Sequence, residues 1–329
     1  MLIRIITFFF IILILTLGVF LFVANRIDYS EGEPSWGITF SPAFSEELGL
    51  EPKEVYLNIL DDLKVSHLRI PGYWDRIEKT QGNYDFKELD WMINEASARD
   101  KQIILVLGQR QPRWPECHFP AWVEDLPAPI REQRVLQFIE EVVKRYQANK
   151  NIYAWQVENE PLLNLFGQCP KSDINFLKTE VKHVRLLDNR PIILSESGEL
   201  STWVRSANLA DILGVSIYKV TWNRYLGYLY YPLTPGFYHQ KIELVSPMVD
   251  AVICTELQAE PWAPEHISKM TPLEMEQGMS LKMFEANLDM ARRAGFSEIY
   301  LWGAEWWYLM KDKYHNDAYW ERAKEIWGK

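Results

Sequence analysis

Eight short apolar runs, spaced along the chain and alternating with helix-like stretches, constrain this sequence most. They are Trp36–Phe40, Ser66–Ile70, Gln102–Leu107, Ile152–Val157, Pro191–Ser195, Ile212–Tyr218, Ala251–Thr255 and Glu298–Trp302. Helical patterns fill the gaps over residues 53–63, 86–98 and 131–148. Thr271-Pro272-Leu273-Glu274 reads as a capping box with proline at the first helical position, and Gly295 is placed to close the helix it opens. Apolar strands alternating with helices predict parallel strands joined by crossover helices. Eight of them in a chain of 329 residues predict a closed (β/α)8 TIM barrel. The rival, an open doubly wound sheet, usually carries a glycine-rich first turn, which this chain lacks.

Residues 5–24, Ile5 to Ala24, carry neither charge nor proline. A helix of that length rises roughly 30 Å, enough to cross a bilayer core. Arg4 precedes it, and Asp28, Glu31 and Glu33 follow it with only Arg26 among them. The charge asymmetry predicts a signal anchor with the rest of the chain on the extracytoplasmic side. The expected organisation is a cytoplasmic tail (1–4), a single N-terminal transmembrane helix (5–24), a juxtamembrane linker (25–34) and a barrel domain (35–329). Secretion after signal cleavage is the alternative.

The net charge of −10, from 35 basic and 45 acidic residues, comes with no basic stripe, which argues against nucleic acid as a partner. The histidines show no metal spacing, and no nucleotide loop or cofactor motif is present, so neither metal nor cofactor is expected.

In a barrel of this kind the strand carboxyl ends line the active site. The polar groups found there are Arg69 on run two, Gln109, Arg110 and Gln111 after run three, and Glu158-Asn159-Glu160 ending run four. Tyr218 ends run six, Glu256 follows run seven, and Trp302 ends run eight with Glu305 beyond it. Two carboxyls on different strands suit glycosidic bond cleavage, one protonating the leaving oxygen and the other attacking or stabilising the anomeric carbon. Strict alternation would aim Glu158 to the same side as Glu160, with Arg69 or Arg110 as its counter-charge. The same rule points Cys254 the same way as Glu256, one layer deeper in the barrel.

Trp155-Gln156-Val157-Glu158-Asn159-Glu160-Pro161 resembles the Asn-Glu-Pro signature of clan A glycoside hydrolases. The resemblance implies a retaining enzyme with Glu160 as acid/base and Glu256 as nucleophile. It also implies that Asn159 binds a sugar hydroxyl, Tyr218 holds the nucleophile, Arg69 keeps it ionised, and Trp302 floors the sugar site. Gln109 stands where many clan members have histidine, and Ser216-Ile217-Tyr218 replaces their His-x-Tyr. An oligo- or polysaccharide is the expected substrate. Two alternatives stay open: a transglycosylase using the same residues, and a catalytically silent, membrane-displayed carbohydrate-binding barrel.

Aromatic rings suit sugar faces. Trp74, Trp114, Trp122, Trp262, Trp306 and Trp307 follow strands, with Gln109 and Trp74 included in the expected substrate-binding set. The loop 219–240 is long and rich in aromatics, as expected of a functional segment or one packed as its own unit. Cys117 and Cys169 fall in the loops after runs three and four, neighbours on one rim, and an exported protein can join them; Cys254 stays free.

Overall fold

The computed structural model describes residues 7, 10, 16, 26–262 and 264–328. The expected anchor at 5–24 lies outside this described set apart from three isolated positions. Among the described residues no helix is long and apolar enough to cross a membrane.

All eight apolar runs form strands, and the strands close into a barrel. Among the described residues ten strands occur in chain order: β1 (Ser35–Thr39), β2 (His67–Pro71), β3 (Gln102–Leu107), β4 (Ile152–Val157), β5 (Ile192–Ser197), β6 (Ile212–Ile217), β7 (Val220–Asn223), β8 (Gly227–Tyr230), β9 (Ala251–Gln258) and β10 (Glu298–Trp302). The barrel order is β1-β10-β9-β6-β5-β4-β3-β2, every pairing parallel. β7 and β8 form a separate antiparallel hairpin. The aromatic-rich loop is therefore this hairpin followed by a helix, Pro235–Val245.

The strands are buried on both faces, which explains their continuous apolar runs. Their outward faces pack on the helices in one large core; Ile104, Ala154, Ile193, Ile253 and Tyr300 form a smaller core inside the barrel. A Cβ on Gly37 would lie 2.6 Å from the Tyr300 ring, so glycine makes room for this internal tyrosine. Above that layer the barrel interior turns polar, with Thr39, Arg69, Gln156 and Ser195 all essentially inaccessible. The polar layer opens at the carboxyl ends of the strands, where the site lies.

Three local expectations are corrected. The segment read as one helix from 271 is two, Pro272–Gly278 and Leu281–Ala294, restarted by Ser280, whose side chain caps Met283 N. The Thr271–Glu274 capping box and the left-handed Gly295 stand at the ends where the sequence put them. Cys254 does not face the barrel interior. A bulge interrupts the β6–β9 ladder: Val215 pairs with Cys254 but Ser216 with Glu256, leaving Thr255 as the extra residue. Cys254 thus packs in the outer core while Glu256 faces in. Third, the segment 25–34 is not a free linker where described. Tyr29 stacks on His239 with ring centroids 4.1 Å apart and donates its N–H to Arg293 O, and Asp28 pairs with Arg292.

Candidate active site

Glu256, on β9, is held by two groups from other strands. Arg69 from β2 donates Nη1–H to its Oε1 at 2.8 Å, and the Tyr218 hydroxyl, just past β6, reaches its Oε2 at 3.0 Å. Arg69 is fully buried, and its other donors are spent on Gln156 Oε1 (2.7 Å) and Asn159 Oδ1 (2.7 Å). One cation therefore fixes the nucleophile candidate and the Asn-Glu-Pro turn at once.

Glu160 sits in the opposite electrostatic setting. β4 ends at Val157, and both Glu158 and Glu160 take left-handed backbone conformations, φ 59° and 44°. Ser195 on β5 accepts from Glu160 N at 2.8 Å and donates to Asn159 Oδ1 at 3.1 Å, which sets this turn. Burial, and then the negative charges of Glu256 and Glu116, hold the Glu160 carboxyl well above the ordinary carboxylate range, with Arg110 acting in the opposite sense.

The two glutamates share a cleft with Glu116, Leu163, Phe166, Ser197, Glu199, Leu200, Tyr218, Thr221, Tyr231 and Trp262. Glu116 and Glu199 were not among the expected site residues. Glu116 is bound by Arg110 at 3.2 Å, and burial raises its carboxyl to about 7. Glu199 accepts from the Tyr238 hydroxyl at 2.7 Å and is likewise raised by burial to about 7. Trp262 stands edge-on to Tyr218 and to Phe166. Among the described residues no cluster of three His, Cys, Asp or Glu side chains is arranged to hold a metal.

Several expected site residues lie elsewhere. Glu158 does not share the cleft side of Glu160, because alternation stops where the strand does. Its carboxylate turns back to accept Gln109 N at 3.0 Å and Arg110 N at 2.5 Å, beside buried Glu180 on the helix Ile174–Leu187. Gly108 is required there: it has φ 100°, and a Cβ would come within 2.3 Å of Glu158 Oε1. The Gln109 side chain lines this neighbouring hollow with Glu158 and Glu180, not the catalytic cleft. Burial and the Glu158 charge drive the Glu180 carboxyl well upward.

Trp74 is fully buried. Its ring stacks on Phe138, and its Nε1–H donates to Glu78 at 2.7 Å, so it cannot touch a substrate in the cleft. Trp122, Trp306 and Trp307 are spent in the same way, donating to Glu78 O, Met275 Sδ and Ala259 O. Trp302 ends β10 as expected, but the Arg113 guanidinium covers its ring at 3.9 Å. Of the loop tryptophans singled out in the sequence, Trp262 lines the cleft.

Cys117 and Cys169 are joined, with Cα atoms 5.2 Å apart and 52 residues between them in sequence, while Cys254 is free and buried. The bridge ties the loop carrying Glu116 to the loop carrying Leu163 and Phe166. A closure of this length is expected to contribute roughly 2–4 kcal/mol, mainly by restricting the unfolded chain. Cys117→Ser with Cys169→Ser should lower the melting temperature and raise KM more than it lowers kcat. A double variant with unchanged KM and melting temperature would remove the bridge from any role at this rim.

With this geometry in hand, three solved structures illustrate the likeness. A xylanase Xyn10A mutant from Cellvibrio japonicus is 14% identical with TM-score 0.56, covering 94% of this chain and 100% of that one. An endo-β-1,4-xylanase of glycoside hydrolase family 10 from Gloeophyllum trabeum is 16% identical with TM-score 0.54, covering 85% of each. A β-galactosidase from Rahnella sp. R3 is 12% identical with TM-score 0.60, covering 92% of this chain and 56% of that one. At such identities the likeness concerns the fold. Independently, the model of glycosyl hydrolase family 10 matches residues 72–173, which span β3, β4 and the Asn-Glu-Pro turn. The family match and the shared barrel together support a glycoside hydrolase, and the resemblance to clan A drawn from the sequence stands.

Proposed function

We propose that this protein is a retaining β-glycosidase working by double displacement, with Glu160 as acid/base and Glu256 as nucleophile. The observation that carries the reading is the contrast between the two carboxyls. Glu256 is ion-paired to buried Arg69, whereas Glu160 is pushed upward by burial and by neighbouring negative charge. Unlike environments for two facing carboxyls are what a proton donor and a nucleophile need. In the first step Glu256 attacks the anomeric carbon while Glu160 gives its proton to the leaving oxygen. In the second, Glu160, now a carboxylate, takes a proton from the water that releases the sugar from Glu256. Tyr218 lines the cleft beside Glu256, and Asn159 is held by Arg69 and Ser195. Transglycosylation differs only in an acceptor sugar replacing that water. A silent binding barrel is disfavoured, because both reacting carboxyls and their partners are intact.

The test is a panel of aryl glycosides and polysaccharides, with Glu256→Ala as blank, and product anomers read by NMR. Turnover that keeps the β-configuration is expected. Inverted product would overturn the double displacement, and no turnover across the panel would overturn the hydrolase.

We also propose that residues 5–24 remain as a membrane anchor, with the barrel on the extracytoplasmic side. The Cys117–Cys169 bridge supports an oxidising compartment. β1 starts at the barrel face opposite the catalytic cleft, so a membrane anchor just before it leaves the cleft accessible. Amino-terminal sequencing of membrane-extracted protein should read the original start. A mature chain beginning near Asn25 would make it secreted instead.

A further inference from the structure

Among the described residues, the cleft that holds both glutamates lies to one side of the line that joins them. The line from Glu160 on the β4 turn to Glu256 on β9 divides the rim in two. One half carries the ends of β5 and β6; the other carries β3, β2, β1 and β10. The cleft wall draws its residues from the first half, from the turns after β4 and β9, and from Glu116. Phe44, Tyr73 and Trp302, which follow β1 and β2 and end β10, do not line it.

They are covered by the loop after β3, which crosses the mouth. Arg113 reaches over β10, its guanidinium 3.6 Å from the Phe44 ring centroid and 3.9 Å from that of Trp302. It is ion-paired to Glu260, after β9, and to Glu305, beyond β10, at 3.1 Å. The loop is pinned further: Tyr73 donates its hydroxyl to Pro112 O at 2.9 Å, the Tyr73 ring packs on His118, and Asp75 N donates to His118 O at 3.0 Å. The cover is dense, with Arg113 at 8%, Trp302 at 6% and Tyr73 at 2% exposure. A guanidinium stacked between two rings and held by two carboxylates is a fixed wall.

An internal bond of a long glycan needs chain on both sides of the two glutamates. Here one side ends at Arg113. In a double displacement the glycone stays on Glu256 through the first step, while the leaving group must depart and water must enter beside Glu160. The open half offers that exit and entry, so it is taken as the leaving-group side, and the glycone then lies toward Arg113.

We infer that Arg113 is a specificity-determining residue that makes this enzyme act from chain ends, removing one terminal sugar at a time from the non-reducing end of a β-linked glycan. The inference rests on the glycosidase reading above and deepens it.

The experiment uses oligosaccharides of the sugar selected by the aryl-glycoside panel, tagged at the reducing end, with products resolved early in the reaction. Wild-type protein should release the terminal monosaccharide and leave a tagged product one unit shorter. Arg113→Ala should raise internal cuts by roughly tenfold or more relative to terminal ones, as expected when a steric barrier to one binding mode is removed. Because that change strands Glu260 and Glu305, Phe44→Ala serves as the second variant, removing one ring of the stack without unpairing a charge. Internal cleavage by the wild type would overturn the inference, whatever the variants do. Folded variants that still only trim chain ends would overturn the role of Arg113. Failure of the underlying reading shows separately, as absence of aryl-glycoside turnover by wild type, and would remove the inference with it.

Discussion

Glu256→Gln should lower kcat/KM by roughly 10^4-fold or more on every glycoside, activated or not, because no covalent intermediate can form. Glutamine is the better probe than alanine, for a reason visible in the site. Glu256 is the counter-charge of Arg69, which is fully buried. Removing one member of such a pair leaves an uncompensated charge and costs about 3–5 kcal/mol. Alanine would thus mix lost chemistry with lost folding. The glutamine carbonyl can still accept from Arg69 Nη1, so its melting temperature should stay closer to wild type than that of the alanine variant. Measuring kcat/KM and melting temperature on the same preparations separates the two effects. A folded glutamine variant within roughly an order of magnitude of wild type would take the nucleophile role away from Glu256.

Glu160→Ala carries the second large effect, and it depends on the leaving group. Substrates with sugar leaving groups should slow by roughly 10^2–10^4-fold through loss of proton donation, whereas aryl glycosides with acidic phenols should lose far less in the first step. The pH profile adds a sign. Glu160 must carry its proton to act, so kcat/KM is high below its raised pKa and falls as pH rises through it. That basic limb should vanish in Glu160→Ala. Glu116 is one of the negative charges that raise Glu160. Glu116→Gln removes that charge, so the Glu160 pKa should fall and the basic limb move to lower pH. A limb that stayed in place, or moved to higher pH, would contradict the electrostatic account of this acid.

How much of this was legible beforehand depends on the range of the forces involved. The eight strands, their order of appearance and the helices between them follow from apolar periodicity, which is local, and all eight runs became barrel strands. Glu160, Asn159, Tyr218, Arg69 and Glu256 were singled out because barrel strands deliver their carboxyl-terminal residues to one rim, and hydrogen bonds link Arg69 to Glu256 and Asn159, and Tyr218 to Glu256. The cysteine pair was found because consecutive loops are neighbours there.

The failures share a cause. Alternation was extended past the end of β4, where left-handed Glu158 turns its carboxylate to the backbone of residues 109 and 110 instead of the cleft. It was also extended through Thr255, where a bulge sends Cys254 outward and Glu256 inward. A bulge or a left-handed residue is paid for by contacts distant in sequence, so the local pattern does not announce it. Trp74 and Gln109 were assigned by their place after a strand, but partners such as Phe138 and Glu180 settled where they sit.

The sequence by itself determined the barrel and the two catalytic candidates, and placed Cys117 and Cys169 on neighbouring loops without deciding whether they are joined. Tertiary structure decided the unlike surroundings of the two carboxyls, since Arg69 pairs with Glu256 while burial and the charges of Glu256 and Glu116 push the Glu160 carboxyl upward. It also decided that half of the mouth is closed, because Arg113 reaches Phe44, Glu260, Trp302 and Glu305 only once the barrel has brought β1, β9 and β10 together. Charge and shape at a site are sums over groups far apart in the chain, and only folding fixes the distances over which those sums are taken.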